Sequence, residues 1–323
     1  MAQSSLRKLF SSQRVYVIGD VMLDHYIVGK VERISPEAPV PVVAVSDYDD
    51  RAGGAANVAL NIKACGAETA IFSVIGDDNT AKKLRAVLTK AKVDPKGMIA
   101  SKERITTLKA RVIGNNHQLL RYDQEDTHAL SNKEEIALFK AFSAACTKKK
   151  PNAVVLEDYD KGVLTPALIK QVIAFCNKHK IPTLVDPKKK HFFDYSGCTV
   201  FKPNLKEMRE GLGQSIEPNP PALKKAVDAL NKKMPHEATL ITLAEHGVFY
   251  SDANNEGVIP AHLRRIADVS GAGDTVVAVA ALAVAAKFPM HEVAAISNLA
   301  GGLVCEHPGV VSIDIKKLEE EYA

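Results

Sequence analysis

The stretch DVSGAGDTV, residues 268–276, sets Gly271, Ala272 and Gly273 directly before the carboxylate of Asp274, and an apolar run, 276–286, follows Thr275. That run predicts a helix. A helix starting at about Asp274 would leave the amides of Gly271, Ala272, Gly273 and Asp274 unpaired at its positive end. Such amides favour an anion, and a carboxylate beside a bound phosphoryl group could act as a general base. The same residues also suit an ordinary turn with Asp274 as the helix cap. A second glycine cluster, RAGGAANVALN (51–61), predicts a turn at Gly53 and Gly54, where backbone could approach a ligand closely. Asn57 would open the next helix, able to donate to and accept from hydroxyls. Tight packing of helix on sheet explains these glycines equally well. Two common phosphate cradles are excluded: Val276 stands where the dinucleotide fingerprint needs its third glycine, and no G-x-x-x-x-G-K-[ST] loop occurs.

These segments need a frame that brings them together. Short apolar runs, VYVIG, TAIFSVIG, AVVLE, TLVD, TVFKP and ATLITL, alternate with helix-like stretches at 57–64, 80–92, 134–146, 166–178, 205–211 and 221–233. The alternation predicts an α/β fold with a mostly parallel central sheet flanked by helices. Polar residues follow the strands: Asp20, Glu157 with Asp158, Asp186, Lys202 with Asn204, and Glu245. Ligands of open α/β sheets sit outside the carboxyl ends of the strands, so these groups are expected to line one rim. Two segments break the rhythm. The prolines of RISPEAPVPVVAVSD suit an edge strand, and ITTLKARVIGNNHQLLRYD predicts a hairpin turning at 114–116. Together, at about 25–47 and 105–123, they would form a small β lid on a single domain spanning 1–323. Another hairpin is expected around 254–257.

With 323 residues, 46% hydrophobic and 25% charged, the chain can bury a full core. A net charge of +4 is too slight to argue for nucleic acid or a membrane surface, and suits small anionic partners. Five scattered cysteines without a Cys-x-x-Cys pair argue against a disulfide framework or zinc site, and for a reducing cytoplasm. The longest apolar run is too short to span a bilayer. The opening MAQSSLRKLFSSQR is Ser-rich, basic and free of acid, as organelle transit peptides are; the strand that follows at once favours a short helix packed on the domain.

Read together, GGAANVALN and DVSGAGDTV resemble the paired signatures of the ribokinase (PfkB) family of sugar and nucleoside kinases, over almost the whole chain. Val279 departs from the pattern, which usually has a smaller residue there. GDVMLDHYIVGKVERISPEAPVPV, LEDYDKGVLT, VDPK and KPNLKE narrow the resemblance to the D-glycero-β-D-manno-heptose 7-phosphate kinases, which serve ADP-heptose synthesis for lipopolysaccharide. Members often carry a second, nucleotidyltransferase domain; a chain ending at KKLEEEYA is expected to be the stand-alone kinase form.

The resemblance implies ATP-dependent transfer to C1 of the sugar phosphate, with Asp274 as base and the amides of Gly271, Ala272 and Gly273 neutralising the transferring group. It implies that Asn204 and Glu207, three apart at a helix start, hold ATP and its Mg²⁺, Glu207 being the metal contact. Thr242, Gly247 and Asn298 would border the nucleotide. For the sugar, Asp20 and Asp24 offer acceptors, Gly53, Gly54 and Asn57 offer backbone and amide contacts, and Glu157 and Asp158 stand at the same rim. The 7-phosphate needs cations. Lys109, Arg111, Arg121, Lys161 and Lys188 are the candidates, an arginine first for its bidentate geometry. The lid is expected to close over the sugar and exclude water, and its exposed edges to join two copies as a homodimer. A kinase acting on another sugar, sugar phosphate or nucleoside would share these signatures. So would a sugar-binding regulator that has lost catalysis, although it would not need Asp274, Asn204 or Glu207.

Overall fold

The structure, a computed structural model, describes residues 5–322. Its strands, in chain order, are β1 (Arg14–Gly19), β2 (Val21–Ile34), β3 (Pro41–Gly54), β4 (Glu68–Gly76), β5 (Met98–Ser101), β6 (Thr107–Gly114), β7 (His117–Gln124), β8 (Ala153–Glu157), β9 (Thr183–Asp186), β10 (Val200–Phe201), β11 (Ala238–Thr242), β12 (Val248–Ser251) and β13 (Glu256–Ile259). Nine of them form one sheet in the order β13-β12-β11-β10-β9-β8-β1-β4-β5. It is parallel except where β12 pairs with β11 and β13.

Side chains alternate between the faces of a strand. Val15 and Val17 accordingly enter one core with helices Ala55–Ala64, Ala272–Ala285 and Met290–Val304, while Tyr16 and Ile18 enter the other with Pro166–Lys178 and Pro220–Lys233. Both faces are covered, which is why these strands read as unbroken apolar runs. Helix Ala272–Ala285 is apolar all round because it is buried all round, and Val279 is accommodated there with no exposure. The short opening helix is Leu6–Ser11, held by buried Leu6 and Phe10; the first four residues of that opening lie outside the described range. The cysteines are all buried and unpaired, and no helix among the described residues is long and apolar enough to cross a membrane.

A second sheet, in the order β3-β2-β6-β7, is the lid. Its strands outrun the expected bounds: β2 and β3 have 14 residues each, and only Asp20 separates β1 from β2. β3 returns and ends at Gly54, where helix Ala55–Ala64 begins. Gly53 and Gly54 are therefore a strand end and not a turn. A Cβ on Gly53 would stand 2.3 Å from Asp24 Oδ2, so the strand can pass the Asp24 carboxylate only as glycine. The lid hairpin turns at Asn115 and Asn116, both with positive φ, and the β12–β13 hairpin turns between Ser251 and Glu256.

Candidate active site

Parallel register sets Gly19 beside Glu157 and Glu157 beside Asp186; Lys202 follows β10, whose Phe201 pairs with Val185. Asp20, Glu157, Asp158, Asp186 and Lys202 thus come to one rim, all of them buried. Glu245 does not join them, its side chain being 79% exposed.

Helix Ala272–Ala285 begins ahead of Asp274, with Gly271 at the N-cap in left-handed geometry (φ 78°). A Cβ on Gly271 would also stand 2.8 Å from Asn57 Nδ2, so dihedral and space both demand glycine there. Asp274 consequently sits within the first turn and is not the cap. Its buried carboxylate accepts Asn57 Nδ2 at 2.8 Å and the Tyr159 hydroxyl at 2.6 Å. The Ala272 amide, expected to be free, donates to the Val269 carbonyl at 3.3 Å; those of Gly271, Gly273 and Asp274 meet no protein acceptor among the described residues. Gly273 lies by the rim, since a Cβ on it would be 3.8 Å from Asp186 Oδ2 and 3.9 Å from Lys202 Nζ. Burial lifts the Asp274 carboxyl from 3.8 to about 6, against the hydrogen bonds from Tyr159 and Asn57 and with help from the Asp186 charge. A carboxylate so tuned is ionised at neutral pH yet basic enough to take a proton in a transition state.

Around it the charges are unevenly matched. Lys202 pairs with Asp186 at 2.8 Å, and Lys188 pairs with Glu207 at 2.6 Å while lying 5.1 Å above the Tyr159 ring. Glu157 is fully buried with neither carboxyl oxygen hydrogen-bonded; burial, then the charges of Asp186 and Asp274, push it well above the ordinary carboxylate range. Asn204 and Glu207 cap helix Leu205–Leu212 reciprocally, each side chain accepting the other's amide at 2.8 Å.

Other expectations change. Asp20 is not a free acceptor: its carboxylate takes the amides of Tyr159 (2.8 Å), Lys161 (3.1 Å) and Val163 (3.0 Å), and so shapes the loop after β8. Asp158 is likewise spent, on the Asp160 amide at 2.8 Å and the Tyr195 hydroxyl at 2.7 Å. Asn57 is divided between Asp274 and Asn61, whose Nδ2 donates to its Oδ1 at 3.1 Å, so one donor and one acceptor of its amide are already in use within the protein. Asp24 pairs with Arg111, Arg121 forks onto Asp123 at 2.8 and 2.6 Å, and Lys161 holds Glu125 at 2.7 Å. Lys109 alone of the proposed cations has no acid partner among the described residues. It lies 6.0 Å over the Tyr159 ring, its pKa depressed by burial and by Arg121 and Lys161. The preference for an arginine therefore gives way to Lys109. Thr242 is bridged to Asn204 in parallel. Gly247 and Asn298 meet at Pro260: Asn298 Nδ2 donates to its carbonyl at 2.8 Å, and a Cβ on Gly247 would be 2.7 Å from the carbonyl carbon.

Two further residues belong to the constellation. Tyr159 stands in LEDYDKGVLT among more conspicuous acids, and nothing periodic marks a phenol in a loop. Asn61 was the more detectable, four residues beyond Asn57 and hence on the same helix face; buried, it also accepts the Ile313 amide at 2.9 Å.

Residues 12–317 match the family described as pfkB family carbohydrate kinase. The chain is 40% identical over 307 residues to the Bifunctional protein HldE of Methylobacillus flagellatus, covering 95% of this chain and 62% of that protein. It is 36% identical over 312 residues to the Bifunctional protein HldE of Aliarcobacter butzleri, covering 97% and 65%. The chain thus spans less than two thirds of the length of these relatives. Among solved structures, phosphofructokinase-2 from Escherichia coli in complex with potassium superposes with a TM-score of 0.78 at 19% identity, over 96% of this chain and 99% of that one. Arabidopsis thaliana ribokinase complexed with ribose and ATP gives 0.73 at 15% identity, over 95% and 99%. The fold is the ribokinase-like α/β fold.

Proposed function

We propose, from the premise that this chain belongs to the pfkB family of ATP-dependent carbohydrate kinases, that it works in the cytoplasm as one kinase unit on D-glycero-D-manno-heptose 7-phosphate. It phosphorylates C1 to give the 1,7-bisphosphate for ADP-heptose synthesis. The observation that carries this reading is the Asp274 carboxylate, held by Asn57 and Tyr159 beside amides of Gly271 and Gly273 that lack protein acceptors among the described residues. Identity to the HldE proteins supports the heptose.

Asp274 takes the proton of the anomeric hydroxyl as that oxygen attacks the γ-phosphorus of ATP; the bond from phosphorus to the departing ADP oxygen breaks. The amides of Gly271, Gly273 and Asp274 donate to the transferring group, where negative charge gathers. Asp24, the backbone at Gly53 and the buried carboxyl of Glu157 border the sugar, and Thr242, Gly247 and Asn298 border the nucleotide. Lys109 takes the 7-phosphate, with Arg121 and Lys161 beside it.

The donor set fits Mg²⁺. Among the described residues Asp186, Glu207 and Asp274 have Lys188 and Lys202 to balance them, and every donor is a hard oxygen. No cluster of three His, Cys, Asp or Glu able to cage a metal occurs among the described residues, which suits an ion that keeps its waters and binds mainly to phosphate. Glu207, with Asn204, would hold it; when bound it neutralises phosphate charge.

A panel of heptose 7-phosphate, fructose 1-phosphate, ribose and a nucleoside with ATP tests the substrate. We expect kcat/KM about a hundredfold or more in favour of the heptose phosphate, and preference for an unphosphorylated sugar would reject it. Lys109→Met should raise KM for the phosphorylated sugar about tenfold, with kcat nearly unchanged; an unaltered KM removes Lys109 from the phosphate site.

The lid leaves Ile34, Val40, Val45, Tyr48, Leu120 and Tyr122 between 44% and 62% exposed. A second copy covers this apolar surface in a homodimer. Sizing at micromolar concentration should give a dimer that Tyr48→Asp shifts towards monomer; a wild-type monomer contradicts the dimer.

A further inference from the structure

The lid is tied to the head of helix Ala272–Ala285 by contacts that the chemistry above does not use. On β3, Arg51 directs Nη1 to two backbone carbonyls, Pro308 at 3.2 Å and Val310 at 3.0 Å, while its Nε is held by Asp49 at 2.8 Å. Its guanidinium lies 4.8 Å from the centre of the Tyr26 ring on β2. The Arg111 guanidinium lies 5.3 Å from the same ring centre and pairs with Asp24. One end of this chain of contacts therefore reaches the acid bordering the sugar, and the other reaches segment 308–310.

That segment abuts the anion hole. The Gly309 amide, between the two carbonyls, donates to Asp268 Oδ2 at 2.9 Å, and Asp268 Oδ1 accepts the Ser270 amide at 2.9 Å and its hydroxyl at 2.8 Å. Ser270 precedes Gly271, and a Cβ on Gly271 would lie 3.2 Å from Val310 Cγ1. Hydrogen bonds from a charged donor are stronger than neutral ones. A planar guanidinium held at Nε can hold a carbonyl pair in fixed geometry, which a lysine's single rotating ammonium cannot reproduce. A local surface ion pair accounts for Arg51 with Asp49. It does not account for bonds to carbonyls 257 and 259 residues away.

We propose that Arg51 is a positioning residue that fixes the anion-hole turn to the lid, so that binding of sugar under the lid and binding of the γ-phosphoryl group are energetically linked. The inference rests on the reading of residues 271–274 as the phosphoryl site. Linkage is reciprocal: whatever factor the sugar contributes to nucleotide affinity, the nucleotide contributes to sugar affinity.

The test is calorimetry of a non-hydrolysable ATP analogue, with and without saturating heptose 7-phosphate or, failing that, the panel member turned over fastest. Wild type, Arg51→Met and Arg51→Lys are compared, with turnover measured alongside. In the wild type the sugar should tighten the analogue about fivefold or more. Arg51→Met should lose that tightening and about tenfold in kcat, and by reciprocity its KM for the sugar at saturating ATP should rise by about the same fivefold. Arg51→Lys should fall between, its charge kept and its fork lost. The Arg51 side chain is 31% exposed, so these variants should fold, and the lysine variant alone suffices if the methionine variant does not. Absence of linkage in the wild type, or full linkage in either variant, overturns the proposal, as does a loss confined to the sugar KM. Asp274→Asn run beside them separates the two readings. If it is inactive while the Arg51 variants keep the linkage, only the role of Arg51 fails; if it stays active, the phosphoryl site itself is wrong.

Discussion

Replacing Asp274 by asparagine is expected to slow phosphoryl transfer about a thousandfold while sugar binding is largely kept. The amide can still accept from Asn57 and can donate to the Tyr159 oxygen, so the geometry survives and only the base is lost. Stability should move the other way. Burial lifts the folded carboxyl to about 6 from its ordinary 3.8. Its contribution to stability is therefore complete below about pH 4 and is lost as pH rises through about 6. A shift of that size corresponds to roughly 3 kcal/mol, a cost that a neutral asparagine escapes. At about pH 8 the variant should melt at or above the wild-type temperature. In the wild type, kcat/KM should fall about tenfold per unit below about pH 6 and level off above it. Near-normal turnover in the variant removes Asp274 from the role of base.

Lys202→Met should be the most damaging change to stability at the rim. Lys202 is 2% exposed and its pair with Asp186, at 2.8 Å, is buried; the next cation, Lys188, is 3.9 Å from the other Asp186 oxygen. Removing one partner of a buried pair leaves a charge uncompensated, at a cost of about 3–5 kcal/mol. Here the stranded carboxylate also faces Glu157 and Asp274. The deficit should be largest at alkaline pH and shrink as pH falls and Asp274 protonates. Lys202 also helps keep Asp274 ionised. The acid limb of kcat/KM should therefore move to higher pH in the variant. Melting curves and rate profiles across pH check both effects, and a variant melting with the wild type at about pH 8 contradicts the first.

The rim was legible from sequence because Asp20, Glu157, Asp186 and Lys202 each follow an apolar run, and parallel strands end at a common edge. What those groups face was not. Asp20 is met by amides 139 to 143 residues further on, and Asn57 by a carboxylate 217 residues away, separations that no local pattern encodes. The apolar run placed the helix after Gly271 but not its first turn, because the left-handed glycine lets the helix begin at Ala272. Prolines marked an edge strand, yet Gly53 and Gly54 read as punctuation. They continue β3, and glycine is required at Gly53 by the Asp24 carboxylate, which belongs to another strand. Lys109 ranked below the arginines because sequence lists charges without their partners, and partners decide which cation is left for a phosphate.

The most direct test is a structure holding heptose 7-phosphate and a non-hydrolysable ATP analogue together. The γ-phosphoryl oxygens should lie within hydrogen-bond reach of the Gly271 and Gly273 amides, with the C1 hydroxyl on the Asp274 carboxylate and in line with the γ-phosphorus. A γ-phosphate bound away from those amides, or an Asp274 still closed on Tyr159 with no hydroxyl near it, would contradict the phosphoryl-transfer role of this helix start.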